Sequence, residues 1–315
     1  MANIPLPDFF IVGAAKAGTT SIYQYLKQHP EIYLPPIKEV NFFCTDIQIK
    51  NFRPDYAGSV FTDVDAWIAS GMKTELFHGF LQHWNQYEKI FQQAEGKKAI
   101  GELSNTYLFS EVAAKNIVEK FPEAKIIMVL RHPVERAFSH YLMDFKNGLV
   151  NENFLIEFNR DKNKEKKGWG ISNLYFELGL YSEQVKRYID LFSNDRIKIF
   201  LFDDLVNDER AVFKTICNFL NIDSGFQFDF ETKHNQNTFP KNKWVAAISK
   251  QKFIRQFIKN IIPDKIKNRI KKTAFSSKNV PKLSEEDRTT VTALYKDDVL
   301  KLAELIRRDL NHWLK

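Results

Sequence analysis

Phe10-Ile11-Val12-Gly13-Ala14-Ala15-Lys16-Ala17-Gly18-Thr19-Thr20-Ser21 joins an apolar run to a helical pattern through a loop of small residues. A β-rich apolar run from Phe9 to Val12 stops at a glycine, small residues follow, and hydroxyls open a helical pattern over 20–28 (TSIYQYLKQ). Such a strand, loop and helix start form an anion site by simple physics. Small side chains let backbone N–H groups converge, the helix N-terminus adds partial positive charge, and Lys16 adds a full one. The same alternation continues outward. Ala99 to Leu103 reads as a strand before a helical stretch at 110–120, and Lys125 to Leu130 (KIIMVL) as a buried strand before a helix at about 134–146. A helix is expected at 181–192, a strand at 196–202 (RIKIFLF) and a helix at 208–220. Short apolar runs alternating with longer amphipathic ones predict an α/β fold with a mostly parallel central sheet flanked by helices. Right-handed crossovers then place the functional loops along one sheet edge. The polar stretch 146–173 reads as a surface excursion, and Ser284-Glu285-Glu286-Asp287 resembles a capping box opening a final helical region.

Spacing discriminates between nucleotide classes. A nucleoside-triphosphate loop is GxxxxGK[ST], with lysine directly after the second glycine. Gly13 and Gly18 keep that separation, but Thr19 stands at the lysine position and the lysine has moved to Lys16. A Mg-NTP enzyme also wants an acidic metal ligand ending a later strand, whereas KIIMVL ends in Arg131. The loop suits a phosphate other than that of Mg-NTP. Arg131, leaving a buried strand at the sheet edge, offers a rigid fork for a second phosphate.

Lys16-Ala17-Gly18-Thr19-Thr20-Ser21 matches the [KR]xGTT[ST] loop of sulfotransferases that use 3′-phosphoadenosine 5′-phosphosulfate (PAPS), and the chain resembles that family. Its second signature, a strand ending in Arg with Ser eight residues on, is reproduced by Arg131 and Ser139; His132 stands where many members have Asp. The resemblance extends to Gly179-x-Tyr181-x-x-Gln184, to Asp203-Asp204-Leu205 and to Arg307-Arg308-Asp309-Leu310-x-x-Trp313, as in bacterial members and the glycan-modifying branch. His234-Asn235 and Pro240-Lys241 resemble a late loop that closes over the nucleotide. The resemblance implies the P-loop-like, nucleotide-kinase-like sulfotransferase fold as a single domain over 1–315. A basic segment at 241–272 and C-terminal helices over 284–313 are then an appended cap. It implies PAPS as co-substrate, no metal, and nucleotide contacts from Lys16, Ala17, Gly18, Thr19, Thr20, Ser21, Arg131, Ser139, His234, Asn235 and Lys241.

For the base, the chain offers Lys38-Glu39-Val40-Asn41-Phe42-Phe43. In glycan sulfotransferases of the heparan sulfate-modifying kind, an acidic residue before a Phe-Phe pair is the base, and Glu39 falls there. Val40, Phe42 and Phe43 would desolvate that carboxylate and raise its pKa, while Lys38 pulls the other way or holds the sulfuryl group. Lys38 and Phe42 are the expected acceptor contacts. His132 and His140 are rival bases, because the phenol- and steroid-sulfating branch uses histidine. That branch usually follows its GTT with Trp, and Ser21 here favours Glu39. Leu103 replaces a lysine of the heparan-type members, which counts against a heparan-like polyanionic acceptor. The expected reaction moves a sulfuryl group to a hydroxyl or amine of a glycan or glycolipid, with a small molecule as the other acceptor class. The rival readings are an ATP-dependent small-molecule kinase and a silent nucleotide- or membrane-binding protein.

Charge needs locating before it means anything. The chain carries 46 basic and 39 acidic residues, a net of +7. Segment 241–272 alone holds 11 of the basic and one of the acidic, leaving 35 against 38 on the rest. The body is therefore slightly acidic, and without a recognised module a nucleic-acid partner is not expected. Within 241–272, Phe253, Ile254, Phe257, Ile258, Ile261 and Ile262 recur at helical spacing among lysines and arginines, a pattern for packing, an anionic membrane surface or an anionic acceptor. No run approaches about 18 apolar residues, the amino-terminal stretch lacks a signal-peptide pattern, and Cys44 and Cys217 are too few for a disulfide framework. The expected location is the cytoplasm, with peripheral membrane attachment through 241–272 as an option. His78 and His83 lack metal-ligand spacing.

Overall fold

The computed structural model describes residues 4–60, 63–231, 239–240, 275–276 and 280–315. Its centre is a five-stranded sheet in the order β2-β5-β1-β6-β7, with every pairing parallel. The strands are β1 (Phe9–Ile11), β2 (Ile32–Tyr33), β5 (Ala99–Leu103), β6 (Lys125–Leu130) and β7 (Ile197–Leu201). Continuous apolar runs are what a parallel sheet covered on both faces requires: β1 and β5 are buried throughout, and β6 from Ile126 onward. The expected strands at 99–103, 125–130 and 196–202 are all present, whereas the two-residue edge strand β2 was too short to carry a periodic signal.

Helices follow the strands as the alternation predicts: α1 (Thr19–Leu26) after β1, α2 (Pro133–Asn147) after β6, α3 (Tyr181–Ile189) before β7 and α4 (Glu209–Leu220) beyond it. From β1 the chain crosses to the β2 side, and from β6 it crosses to the β7 side. The carboxyl ends of β1 and β6 therefore flank a topological switch point, where open α/β sheets bind ligands. A second, two-stranded parallel sheet pairs β3 (Ile37–Lys38) with β4 (Leu76–Phe77) and holds the 37–43 stretch across the end of β5. Glu39 N–H donates to Leu103 O at 2.8 Å, fixing that join.

One expectation on the periphery is corrected. The polar stretch 146–173 is not simply a surface excursion: Phe154–Lys162 is a helix, capped by Asn153 and burying Phe154 and Phe158, an i,i+4 pair that outweighs its charged surroundings. The C-terminal helix packs on the core as a wall. Helix α5 (Glu285–Ile306), whose Ser284 cap accepts from Asp287 N–H at 3.0 Å, buries Val291, Tyr295, Val299 and Leu302 in the main hydrophobic cluster. Its Asp298 accepts from Tyr181 N–H at 2.7 Å and Ser182 N–H at 3.1 Å, capping α3. Segment 241–272 lies outside the described residues, as do His234, Asn235 and Lys241.

Candidate active site

The loop after β1 is held by its neighbour strand and shaped by two glycines. Val12 and Ala14 N–H groups donate to Ile127 O and Val129 O, extending the β1–β6 pairing into the loop. A Cβ on Gly13 would stand 2.7 Å from Val129 N, so only glycine lets the loop lie against β6. Gly18 precedes α1 at φ 87°, and Lys16 shares the left-handed region at φ 71°. The result is a turn whose backbone rises into the α1 N-terminus at Thr19, Thr20 and Ser21, with Ala17 buried beneath. Gly18→Ala should cost about 1–2 kcal/mol from the forced left-handed backbone. A Cβ there also meets the Phe202 ring at 3.1 Å, so both nucleotide affinity and Tm should fall in calorimetry and thermal melts.

Arg131 leaves β6 directly beside this loop. Its guanidinium donates to Lys16 O at 3.1 Å, stands 4.6 Å from the Phe202 ring centre, and lies 3.7 Å from Glu135. Burial lowers its pKa, with the Glu135 charge opposing. Tyr181 hydroxyl donates to Arg131 O at 2.9 Å, and Trp313 packs 6.2 Å from the Tyr181 ring, so the C-terminal wall braces this corner. Ser139 sits half-buried on the second turn of α2, which starts at Pro133. Lys16 has its pKa lowered to about 8, chiefly by desolvation; the Asp144 carboxylate opposes the shift, while Arg131, Arg136 and Lys38 add to it. Its Nζ lies 3.6 Å from Met143 Sδ on α2.

Glu39 is brought to the same edge from β3. It is 5 % exposed, takes φ 64°, and its Oε1 accepts from Lys38 Nζ at 2.9 Å and Asn105 Nδ2 at 2.8 Å. Desolvation is the largest influence on its pKa, as the flanking apolar residues implied. The combined charges of Lys38, His78 and Lys16, with the Lys38 hydrogen bond, nevertheless overcome it and leave the pKa lowered. The expectation of a raised pKa is thus reversed: Glu39 is an ionised carboxylate across the neutral range. Lys38 turns onto Glu39, and Phe42 packs among Phe43, Trp84 and Tyr87 at 4.7–5.8 Å between ring centres.

The rival histidines are engaged elsewhere. His132 Nδ1 accepts from Val134 N–H at 3.2 Å as the α2 cap, and burial pushes its pKa down to about 4. His140 lies between Arg136, Tyr175 and Asp144, with burial and the Arg136 charge holding it well below the usual imidazole value. No functional signal in the sequence marks Asn105, Phe202, Arg136 or Asp144, of which the last two act on the Lys16 charge from α2. Asn105 and Phe202 stand just past the ends of β5 and β7, a position rule that could have found them. Among the described residues no group of His, Cys, Asp and Glu is arranged to hold a metal ion, and no helix is long and apolar enough to cross a membrane. Both cysteines are buried and unpaired.

Comparison with known proteins fits this geometry. The chain is 29% identical over 136 residues to the membrane-associated sulfotransferase kil1 of Dictyostelium discoideum, covering 43% of this chain and 22% of that protein. It is 23% identical to mouse carbohydrate sulfotransferase 15 (69% of this chain, 44% of that one). It is 26% identical to the human bifunctional heparan sulfate N-deacetylase/N-sulfotransferase 2 (69% and 22%). It therefore spans less than half the length of these relatives. Among solved structures, a sulfotransferase from Alicyclobacillus acidocaldarius superposes with a TM-score of 0.70 at 27% identity, covering 99% of this chain and 100% of the other. The family model described as the sulfotransferase family matches residues 7–226, and with the fold and the loop geometry in agreement, the chain belongs to the sulfotransferase family.

Proposed function

We propose that this protein transfers the sulfuryl group of PAPS to a hydroxyl or amine of an acceptor, a glycan or glycolipid, releasing 3′-phosphoadenosine 5′-phosphate (PAP). The observation that carries this reading is the convergence of Lys16, Arg131 and the buried Glu39 carboxylate at the ends of the adjacent strands β1, β6 and β5. The 5′-phosphosulfate lies on the loop, where N–H groups at the α1 N-terminus and Lys16 meet its charge. Arg131 and Ser139 take the 3′-phosphate and so orient the leaving group. The acceptor oxygen attacks sulfur in line as Glu39 accepts its proton. The new O–S bond forms while the bond from sulfur to the 5′-phosphate oxygen breaks, and the electron pair leaves on PAP. Lys16 stabilises the charge gathering there. A carboxylate of low pKa suits a loose transition state, by analogy with phosphoryl transfer, where positioning and electrostatics carry most of the catalysis.

A glycan acceptor fits a carboxylate base and a nearby cleft of about 290 Å³ lined by Asp46, Gln48, Asn51, Glu111, Gln184 and Trp169. Trp169 Nε1–H donates to Tyr56 hydroxyl at 2.6 Å, and the Tyr56 phenol feels the Glu39 charge, which links this cleft to the base. An aromatic face among amides, carboxylates and the Lys167 and Arg187 cations suits polyhydroxyl ligands. The +10 net charge of 241–272 supports peripheral placement at an anionic membrane surface. Labelled PAPS offered with neutral glycans, sulfated glycans, glycolipids and phenols tests the acceptor class. Label in the glycan or glycolipid hydroxyls is expected, and label confined to phenols overturns that class.

Lys16 adds a pH signature. Its free-state pKa near 8 must rise when an anion binds, so PAP binding takes up a proton above that pH. Affinity should hold below pH 8 and fall by up to about tenfold per unit above it, until the pKa of the complex is reached. Calorimetry in buffers of different ionisation enthalpy reads the proton directly, and Lys16→Ala should abolish the uptake.

A further inference from the structure

Beneath Glu39 lies a buried polar column that the proposed chemistry does not use. Glu102, on β5, is fully buried, and its two carboxylate oxygens accept from Ser104 Oγ at 2.8 Å and Tyr87 hydroxyl at 2.7 Å. Ser104 Oγ in turn accepts from Asn41 N–H at 3.0 Å, and Ser104 N–H donates to Ile11 O on β1. Asn41 uses its whole side chain. Its Nδ2 donates to Glu39 O and to Gly79 O, both at 2.8 Å, and its Oδ1 accepts from Thr106 hydroxyl. Glu39, Asn41, Ser104 and Thr106 are each no more than 5 % exposed.

This column acts on a strained backbone. Glu39 and Asn41 both take positive φ, 64° and 56°, flanking Val40. For Glu39 the left-handed region is costly, since only Gly, Asn and Asp visit it readily. Such a conformation persists where its surroundings over-determine it: Asn41 Nδ2 and Leu103 O grip the two ends of residue 39, while His78 N–H and Leu81 N–H hold Lys38 O and Val40 O on either side. Released, residue 39 relaxes toward ordinary dihedrals, and its carboxylate swings away from Lys38 and Asn105.

We infer that Asn41 and Ser104, anchored on the buried Glu102 carboxyl, are positioning residues that hold the Glu39 carboxylate at the sulfuryl-transfer point. The inference rests on Glu39 being the base and adds the parts that aim it. A displacement of about 1 Å at a reacting group costs about 100-fold in rate.

The test compares Asn41→Gly, Ser104→Ala, Glu102→Ala, Glu102→Gln and Glu39→Gln in the full chain, reading kcat, KM for PAPS, PAP affinity and the pH profile of kcat. Asn41→Gly and Ser104→Ala should lose about 10- to 100-fold in kcat with KM for PAPS and PAP affinity unchanged. The acid limb of their kcat profile should move to higher pH, because a misplaced Glu39 loses Lys38 and Asn105. Glu102→Ala should behave likewise, whereas Glu102→Gln, which still accepts from Ser104 and can donate to Tyr87, should restore most of the rate. Retained PAP affinity certifies folding in each variant. Full kcat with an unmoved acid limb in Asn41→Gly and Ser104→Ala, alongside a dead Glu39→Gln, overturns this inference alone. Full kcat in Glu39→Gln overturns the base assignment beneath it.

Discussion

Glu39→Gln is expected to lower kcat for sulfuryl transfer by about 1,000-fold, within the range of a lost general base, while PAP affinity stays at the wild-type value. Glutamine keeps the shape of the side chain, and its amide oxygen can still accept from Lys38 and Asn105. What disappears is the charge and the ability to take a proton. Because Lys38, His78 and Lys16 keep the carboxylate ionised, the wild-type kcat profile should be flat on the acid side down to below the ordinary carboxylate value near 4.5. The sign follows from the lowered pKa: activity is complete above it and is lost only as pH falls through it. An acid limb near 6.5 would point to a histidine base. The structure speaks against that, since His132 caps α2 and His140 is enclosed by Arg136, Tyr175 and Asp144.

Arg131→Ala carries the second large effect. Removing one partner of a desolvated, charge-assisted phosphate contact costs about 2–5 kcal/mol, so PAP affinity should fall by roughly 30- to several-thousand-fold. The decisive control is a ligand without the 3′-phosphate. Adenosine 5′-monophosphate should bind wild type and Arg131→Ala almost alike, which assigns the lost energy to the 3′-phosphate in a double-mutant cycle. Arg131→Lys should rescue little, because a point charge replaces a planar fork that also stands over the Phe202 ring.

The reach of the sequence differs between the centre of this fold and its rim. KIIMVL, Ala99 to Leu103 and the Gly13–Ser21 loop are legible because parallel strands covered on both faces are mostly apolar, Glu102 being the buried exception, and phosphate loops must be small. Lys16 and Arg131 follow from position after β1 and at the end of β6, whereas Glu39 comes only from the resemblance to glycan sulfotransferases, through the Phe42-Phe43 pair. What composition could not supply is the net sign of the Glu39 pKa. Burial and the charges of the surrounding side chains oppose each other there, and His78 and Lys16 reach Glu39 only through the fold. Asn41 and Ser104 likewise look like ordinary loop polars until the β3–β5 join sets one upon the other. The C-terminal helix shows the same limit: its capping box at Ser284 is legible, but not that Asp298 and Tyr295 tie α5 to α3 and to Tyr175.

Two anion sites, one at Lys16 and one at Arg131, should select a 3′,5′-bisphosphorylated adenosine over a magnesium-bound triphosphate. Calorimetric titration of the wild-type chain with PAP and, separately, with ATP and Mg²⁺ decides it. Stoichiometric PAP binding that needs no Mg²⁺ is expected, with ATP–Mg²⁺ weaker by at least the affinity that Arg131→Ala removes. Tighter binding of ATP–Mg²⁺ than of PAP, or a PAP affinity indifferent to loss of both Lys16 and Arg131, overturns the two-site assignment.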